Sequence, residues 1–393
     1  MRAALFRPTL AYPATGALSE MLVPPHTPDT LAQSWQAVHE RLASAGASDS
    51  LSDLSSFSTY HYCAYQVLDQ PQDMLLAQHL YRQLWAALSQ LPPPELLHHL
   101  DALCAAAWLA PRLGAEPADT TDPALWARLD AALYQPAEQL RSHPEAARRH
   151  IFFSLLRYFS LRQPAAESLL YALLAPGLPP LLATTAALPQ SLPLGLGGGL
   201  AAELLVLLRL HRQGVEVPEL AQYVRAGLLL LLGVKQRVDF QEGHCSVFPY
   251  QLHSQSGEAS YSAELSWHRG DLGQALLFYE SLNLLPDPEL ANIAELVGLN
   301  TLLRTSQATT DLSSAAWYRG TAGVAHLYRQ LHRISGRPVY HTGYHYWLRQ
   351  TQQWLPAALA ADTAMPLADL AKVGLVLLEA QSEVGLSWDA IVL

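Results

Sequence analysis

The segment Trp267-His268-Arg269-Gly270-Asp271-Leu272-Gly273-Gln274-Ala275-Leu276-Leu277 recurs fifty residues later as Trp317-Tyr318-Arg319-Gly320-Thr321-Ala322-Gly323-Val324-Ala325-His326-Leu327. Self-similarity of this kind means that one supersecondary unit is used more than once, and it restricts the fold more than any other feature of the chain. In each copy two glycines three residues apart open an apolar helical pattern. That arrangement suits a helix N-terminus whose small residues let another backbone approach closely. Weaker echoes lie at Gly195-Leu196-Gly197-Gly198-Gly199-Leu200-Ala201-Ala202 and at Leu370-Ala371-Lys372-Val373-Gly374-Leu375. Helix pairs repeated in this way cannot bury their apolar faces alone, so they stack into a solenoid or close into a ring. Echoes near both Gly199 and Gly374 favour closure.

The rest of the chain agrees with a helical plan. Apolar stretches of helical length, such as Leu75 to Leu91, Leu96 to Leu109, Ile151 to Leu161 and Leu220 to Leu232, alternate with Pro, Gly and Ser punctuation. The segment 238–261 is richer in polar and aromatic residues and predicts a short irregular or β-containing insertion. With 50% hydrophobic and 15% charged residues in 393, there is apolar surface enough for one large core, and disorder is not expected. Between Ser168 and Ala202 no residue is charged, but five prolines break the stretch into a buried helix, a loop and the start of another helix rather than a membrane span.

A net charge of −10 without a Lys/Arg cluster gives no footprint for nucleic acid or an anionic membrane. The first residues lack the apolar run of a secretory signal, so a cytoplasmic location is expected. The only cysteines, Cys63, Cys104 and Cys245, are far apart and form neither a disulfide framework nor a Cys-x-x-Cys pair. Cys63 and Cys104 sit in apolar helical contexts and read as buried thiols.

The glycine turns resemble those of the lanthionine synthetase C-like family, which typically read Gly-x-x-His-Gly, then Trp-Cys-Tyr-Gly-Asp-x-Gly, then Cys-His-Gly-x-x-Gly. Trp267 to Gly273 and Gly320 to His326 match the second and third frameworks, Phe248-Pro249-Tyr250 precedes the second, and Trp388 to Leu393 is similar to the family's ending. Residues Leu54 to Tyr65 and Arg149 to Arg162 correspond to its earlier helical turns. The resemblance implies an all-α fold, an α/α toroid of two concentric helical layers, as one domain over residues 1–393. It also implies a zinc site where two cysteines and a histidine hold a metal that activates a peptide thiolate for addition to a dehydrated Ser or Thr.

Carried onto this sequence, those ligand positions fall on His268, Tyr318 and Arg319. The family's histidine in the first turn falls on Gly198, its arginine before the first cysteine falls on Glu264, and its aspartate is kept as Asp271. One ligand type of three remains, and Arg269 and Arg319 put positive charge where a dication would sit. No metal and no cofactor are therefore expected, although zinc is the family's metal.

The expected site is a cluster of Glu264, His268, Arg269, Asp271, Tyr318 and Arg319, which either fills the vacated space with ion pairs or binds an anionic or peptide group. The function implied is that of a cyclase homologue without cyclase chemistry, binding or scaffolding a modified peptide or the enzymes that make it. A lanthipeptide precursor or a dehydratase-like protein is the expected partner. The alternative is an enzyme with rebuilt chemistry in which His268 acts as acid or base, oriented by Glu264 or Asp271. A helical-toroid glycosidase using Glu264 and Asp271 is a third class. His326, His332, His341 and His345 read as ordinary, partly exposed histidines. His244-Cys245 reads as a loop pair without a third orienting group.

Overall fold

The computed structural model describes residues 28–44, 50–113, 123–141, 143, 146–178, 191–253, 256–360, 365–382 and 385–392. In chain order the helices are α1 (Pro28–Ser44), α2 (Leu51–Leu68), α3 (Pro71–Gln90), α4 (Pro93–Leu96), α5 (Leu100–Leu109), α6 (Pro123–Leu140), α7 (Ala146–Leu161) and α8 (Glu167–Leu174). They continue as α9 (Leu200–Arg212), α10 (Leu220–Gly233), α11 (Asp271–Ser281), α12 (Pro288–Leu302), α13 (Gln307–Thr310), α14 (Thr321–Ser335), α15 (Pro338–Ala360), α16 (Leu367–Gln381) and α17 (Asp389–Val392).

Two kinds of helix start mark members of two layers. Helices α1, α3, α6, α12 and α15 each begin with proline. Proline at that position gives up only an N–H that has no intrahelical acceptor, and its fixed φ suits the first turn. Helices α9, α11 and α14 begin directly after Gly199, Gly270 and Gly320. Packing assigns the remaining helices. Helices α2, α5, α7, α9, α11, α14 and α16 touch one another in that order, and α16 returns to α2, which closes an inner ring. The others lie outside it: α3 on α2, α6 on α7, α10 on α9, α12 on α11, α15 on α14 and α1 on α16. The expected α/α toroid is the fold found.

The glycine echo at Gly374 falls mid-helix in α16 rather than in a turn. It lies at the seam of the ring, where a Cβ would come within 2.6 Å of the Tyr60 ring on α2 and 3.1 Å of Val38 on α1. The insertion near 238–261 contains the expected β-structure. Strands β1 (Leu192–Pro193), β2 (Gln251–Leu252) and β3 (Ala259–Ser260) form an antiparallel sheet in the order β1-β2-β3, with Leu192 opposite Leu252. Two-residue strands of this kind are a clamp, holding the insertion against the turn that leads into α9. Of the uncharged stretch, α8 ends at Leu174 and α9 starts at Leu200, while 179–190 lie outside the described residues. Among the described residues no helix is long and apolar enough to cross a membrane.

Candidate functional site

Backbone hydrogen bonds stitch the inner-helix turns into a rim at one end of the ring. Gly197 N–H donates to His268 O at 3.1 Å, and His268 N–H donates to Tyr318 O at 3.0 Å. Trp317 N–H donates to Asp369 Oδ1, in the first turn of α16, at 3.1 Å. The two repeat copies and the first glycine turn are thus neighbours in space, as the sequence repeat requires. The indole rings of Trp267 and Trp317 lie 5.9 Å apart, and Trp267 meets Tyr318 edge-on at 5.6 Å.

Five of the six expected site residues share this rim. His268 is half-buried, and its ring lies so close over Gly197 that a Cβ there would collide with Nδ1. Desolvation, then the charges of Arg269 and Arg319, lower its pKa, so the imidazole is neutral at neutral pH. Glu264 is buried and accepts from Ser266 Oγ at 2.7 Å. Arg269 and Arg319 each approach it only to 3.9 Å, and the Arg319 side chain is 61% exposed. The Arg269 guanidinium also lies 4.6 Å above the centre of the Tyr250 ring. Tyr318 is partly exposed, and its hydroxyl accepts from Lys372 Nζ at 2.8 Å.

Asp271 is the residue that the structure removes from the group. Fully buried at the start of α11, it accepts from the Val247 and Phe248 amides at 2.9 and 3.0 Å and from Arg304 at 3.1 Å. Burial raises its pKa even against these donors. Both oxygens are occupied, so it anchors the insertion and neither meets a ligand nor orients His268. His326 is also not partly exposed as expected: it is fully buried, 3.5 Å from Glu379 and packed against Trp317 and Trp388. Cys245, like Cys63 and Cys104, is buried, and burial pushes its thiol pKa up, which keeps it in the non-nucleophilic form.

Beneath the rim the first turns of several inner helices converge on a cavity of about 300 Å³. One wall is a hydroxyl stripe on α2, with Ser52, Ser55, Ser56 and Thr59 spaced to share a helix face. Asp101 and His150 face it from α5 and α7, and Lys372 from α16. The Asp101 side chain is 72% exposed to this space and pairs with Arg157 at 2.8 Å. Enclosure within the ring would raise its pKa, but Arg157, Lys372 and His150 outweigh that and lower it. The His150 ring reaches the turn where the family's histidine position is Gly198, since a Cβ there would lie 3.2 Å from His150 Cδ2. The sequence reading missed these residues. The spacing of the hydroxyls on α2 was a legible signal, as was Lys372, the one cation of α16. Nothing in the sequence ties His150 to Gly198.

The residues at the family's zinc positions do not fit that metal. His268 offers an imidazole, Tyr318 a phenol already hydrogen-bonded to an ammonium that sits 4.3 Å from its ring centre, and Arg319 a guanidinium. Only the first is a zinc ligand in its ordinary form, and three cations surround the spot.

No protein-family model matches the chain, and no curated protein matches it in sequence. A solved structure described as nisin cyclase matches it with a TM-score of 0.66 and 11% identity, covering 93% of this chain and 96% of that one. At that identity the likeness shows the fold.

Proposed function

We propose that this chain is a zinc-free relative of lanthionine-forming cyclases that binds a modified peptide in the central cavity, as a binding or scaffolding partner of a precursor peptide or its dehydratase-like enzyme. The nisin cyclase fold over nearly the whole chain supports a peptide-handling ancestry. The observation that carries the reading is the Lys372–Tyr318 pair: Tyr318 stands at one of the family's metal positions, beside Arg319 at another, and holds the Lys372 ammonium over an open cavity. Hydroxyls on one wall and Lys372 on the other suit the carbonyls and carboxylates of a peptide better than they suit a thiolate waiting for a metal.

The test is a titration of the protein with a labelled, dehydrated, cysteine-containing peptide, followed by anisotropy. The same samples are treated with a thiol alkylating agent and weighed by mass spectrometry. Saturable binding that Lys372→Ala weakens about tenfold or more, with the peptide thiol still alkylated, is the expected result. Failure to bind, or loss of the free thiol through thioether formation, overturns the reading.

The neutral imidazole of His268 beside two guanidiniums favours a second reading, in which the rim does acid–base chemistry of its own. A mass change in the peptide that disappears with His268→Ala would establish it.

A further inference from the structure

The seam of the ring holds a second group of chemistry-bearing side chains, on the side of α2 away from the hydroxyl stripe. His39 of α1, His61 of α2 and Asp73 of α3 each bring one potential ligand atom to within 4.8 Å of the others. His61 and Asp73 are buried, and His61 Nδ1 lies 2.7 Å from Asp73 Oδ1. His39 is half-exposed, which gives the cluster a route to solvent.

One atom in this group points to a missing occupant. Asp73 Oδ2 is buried and has no hydrogen-bond partner, although the residue as a whole is only 4% exposed. A carboxylate placed this way is half satisfied by His61 and half by nothing, which is unusual for a buried acceptor. A cation between the three side chains would satisfy it. The outer contacts needed to hold ligating imidazoles are also present: His39 Nδ1 meets the Tyr60 hydroxyl at 3.2 Å, its ring packs against Trp35 at a tilt with centroids 4.9 Å apart, and it meets His61 edge-on at 5.6 Å.

We propose that His39, His61 and Asp73 form a divalent cation site of the zinc class, two imidazoles and one carboxylate with a water in the fourth position, which ties α1, α2 and α3 together where the ring closes. Ligands about 2.0–2.2 Å from a tetrahedral ion lie roughly 3.4 Å apart. The His61–Asp73 contact would therefore open slightly and His39 would swing inward, a small movement for its half-exposed side chain. Where His61 donates Nδ1–H to Asp73, that proton moves to Nε2 of a neutral ring, or is released from an imidazolium, as the ion takes Nδ1. This site is separate from the rim and stands whether or not the peptide-binding reading is right.

The experiment uses the untagged full chain, stripped with a chelator and titrated with Co²⁺ and Zn²⁺. The expected result is one equivalent of Co²⁺ with the visible absorption of tetrahedral coordination, displaced by Zn²⁺, and a Zn²⁺-dependent rise in melting temperature. His39→Gln, at the half-exposed ligand, should weaken binding at least tenfold while leaving the metal-free melting temperature near that of the parent. His268→Gln should bind as the parent does. No uptake by the parent protein, or uptake lost with His268→Gln and kept with His39→Gln, overturns the proposal.

Discussion

At the scale of single residues, the pair Arg304–Asp271 shows what the rim depends on. Both side chains are fully buried, and Asp271 is the countercharge that Arg304 meets at 3.1 Å. Asp271→Asn keeps the shape, but its one amide oxygen cannot replace both carboxylate oxygens, and it leaves a buried guanidinium without its countercharge. The expected loss is about 3–5 kcal/mol, read as a lower urea midpoint at unchanged slope. Arg319→Gln, at a 61% exposed side chain whose nearest carboxylate oxygen is 3.9 Å away, should change the midpoint by less than about 1 kcal/mol. The sequence placed Asp271 at the rim because the repeat put it beside Gly270. It could not reveal that Arg304, 33 residues further on, would take up that carboxylate. His268, Arg269, Tyr318 and Arg319 were legible as a group because the repeat sets them at matching positions, and Glu264 because the resemblance places it just before His268. His150 and the seam residues were not, since each meets its neighbours only through tertiary packing.

At the scale of elements, glycine and proline mark helices of the inner and outer layers. Gly270 combines φ +108° with a would-be Cβ only 2.6 Å from Glu264 O, so strain and collision act together. Gly214 has φ +84° and nothing within 4 Å, so a side chain there meets strain alone. Gly270→Ala should therefore lower stability by more than about 1 kcal/mol beyond Gly214→Ala, measured by parallel denaturant melts. This logic was readable for α9, α11 and α14, whose glycines stand next to apolar helical runs. It was less readable for α2, α5 and α7, whose inner position comes from packing against one another and which begin without a glycine pair. The Gly374 echo pointed to the right place for a different reason: it clears room for Tyr60 rather than turning the chain.

At the scale of the whole molecule, stability rests on a closed circuit, because α16 packs on both α1 and α2. A chain ended after Ala360 lacks α16 and α17 and leaves Tyr60 and Val38, both fully buried in the complete ring, open to water. Such a chain should show no cooperative thermal transition by circular dichroism, whereas the full chain melts as one unit. That the ring closes was implied by echoes at both ends of the glycine pattern, but which helices meet at the seam was not. Closure also sets a clock on biosynthesis. Roughly 300 residues separate the end of α2 at Leu68 from the start of α16 at Leu367, an interval of about 15–60 s at ribosomal elongation rates of about 5–20 residues per second. Throughout that interval the apolar flank of α2 lacks a partner not yet made, and transiently exposed apolar surface of that kind is what aggregates or meets chaperones.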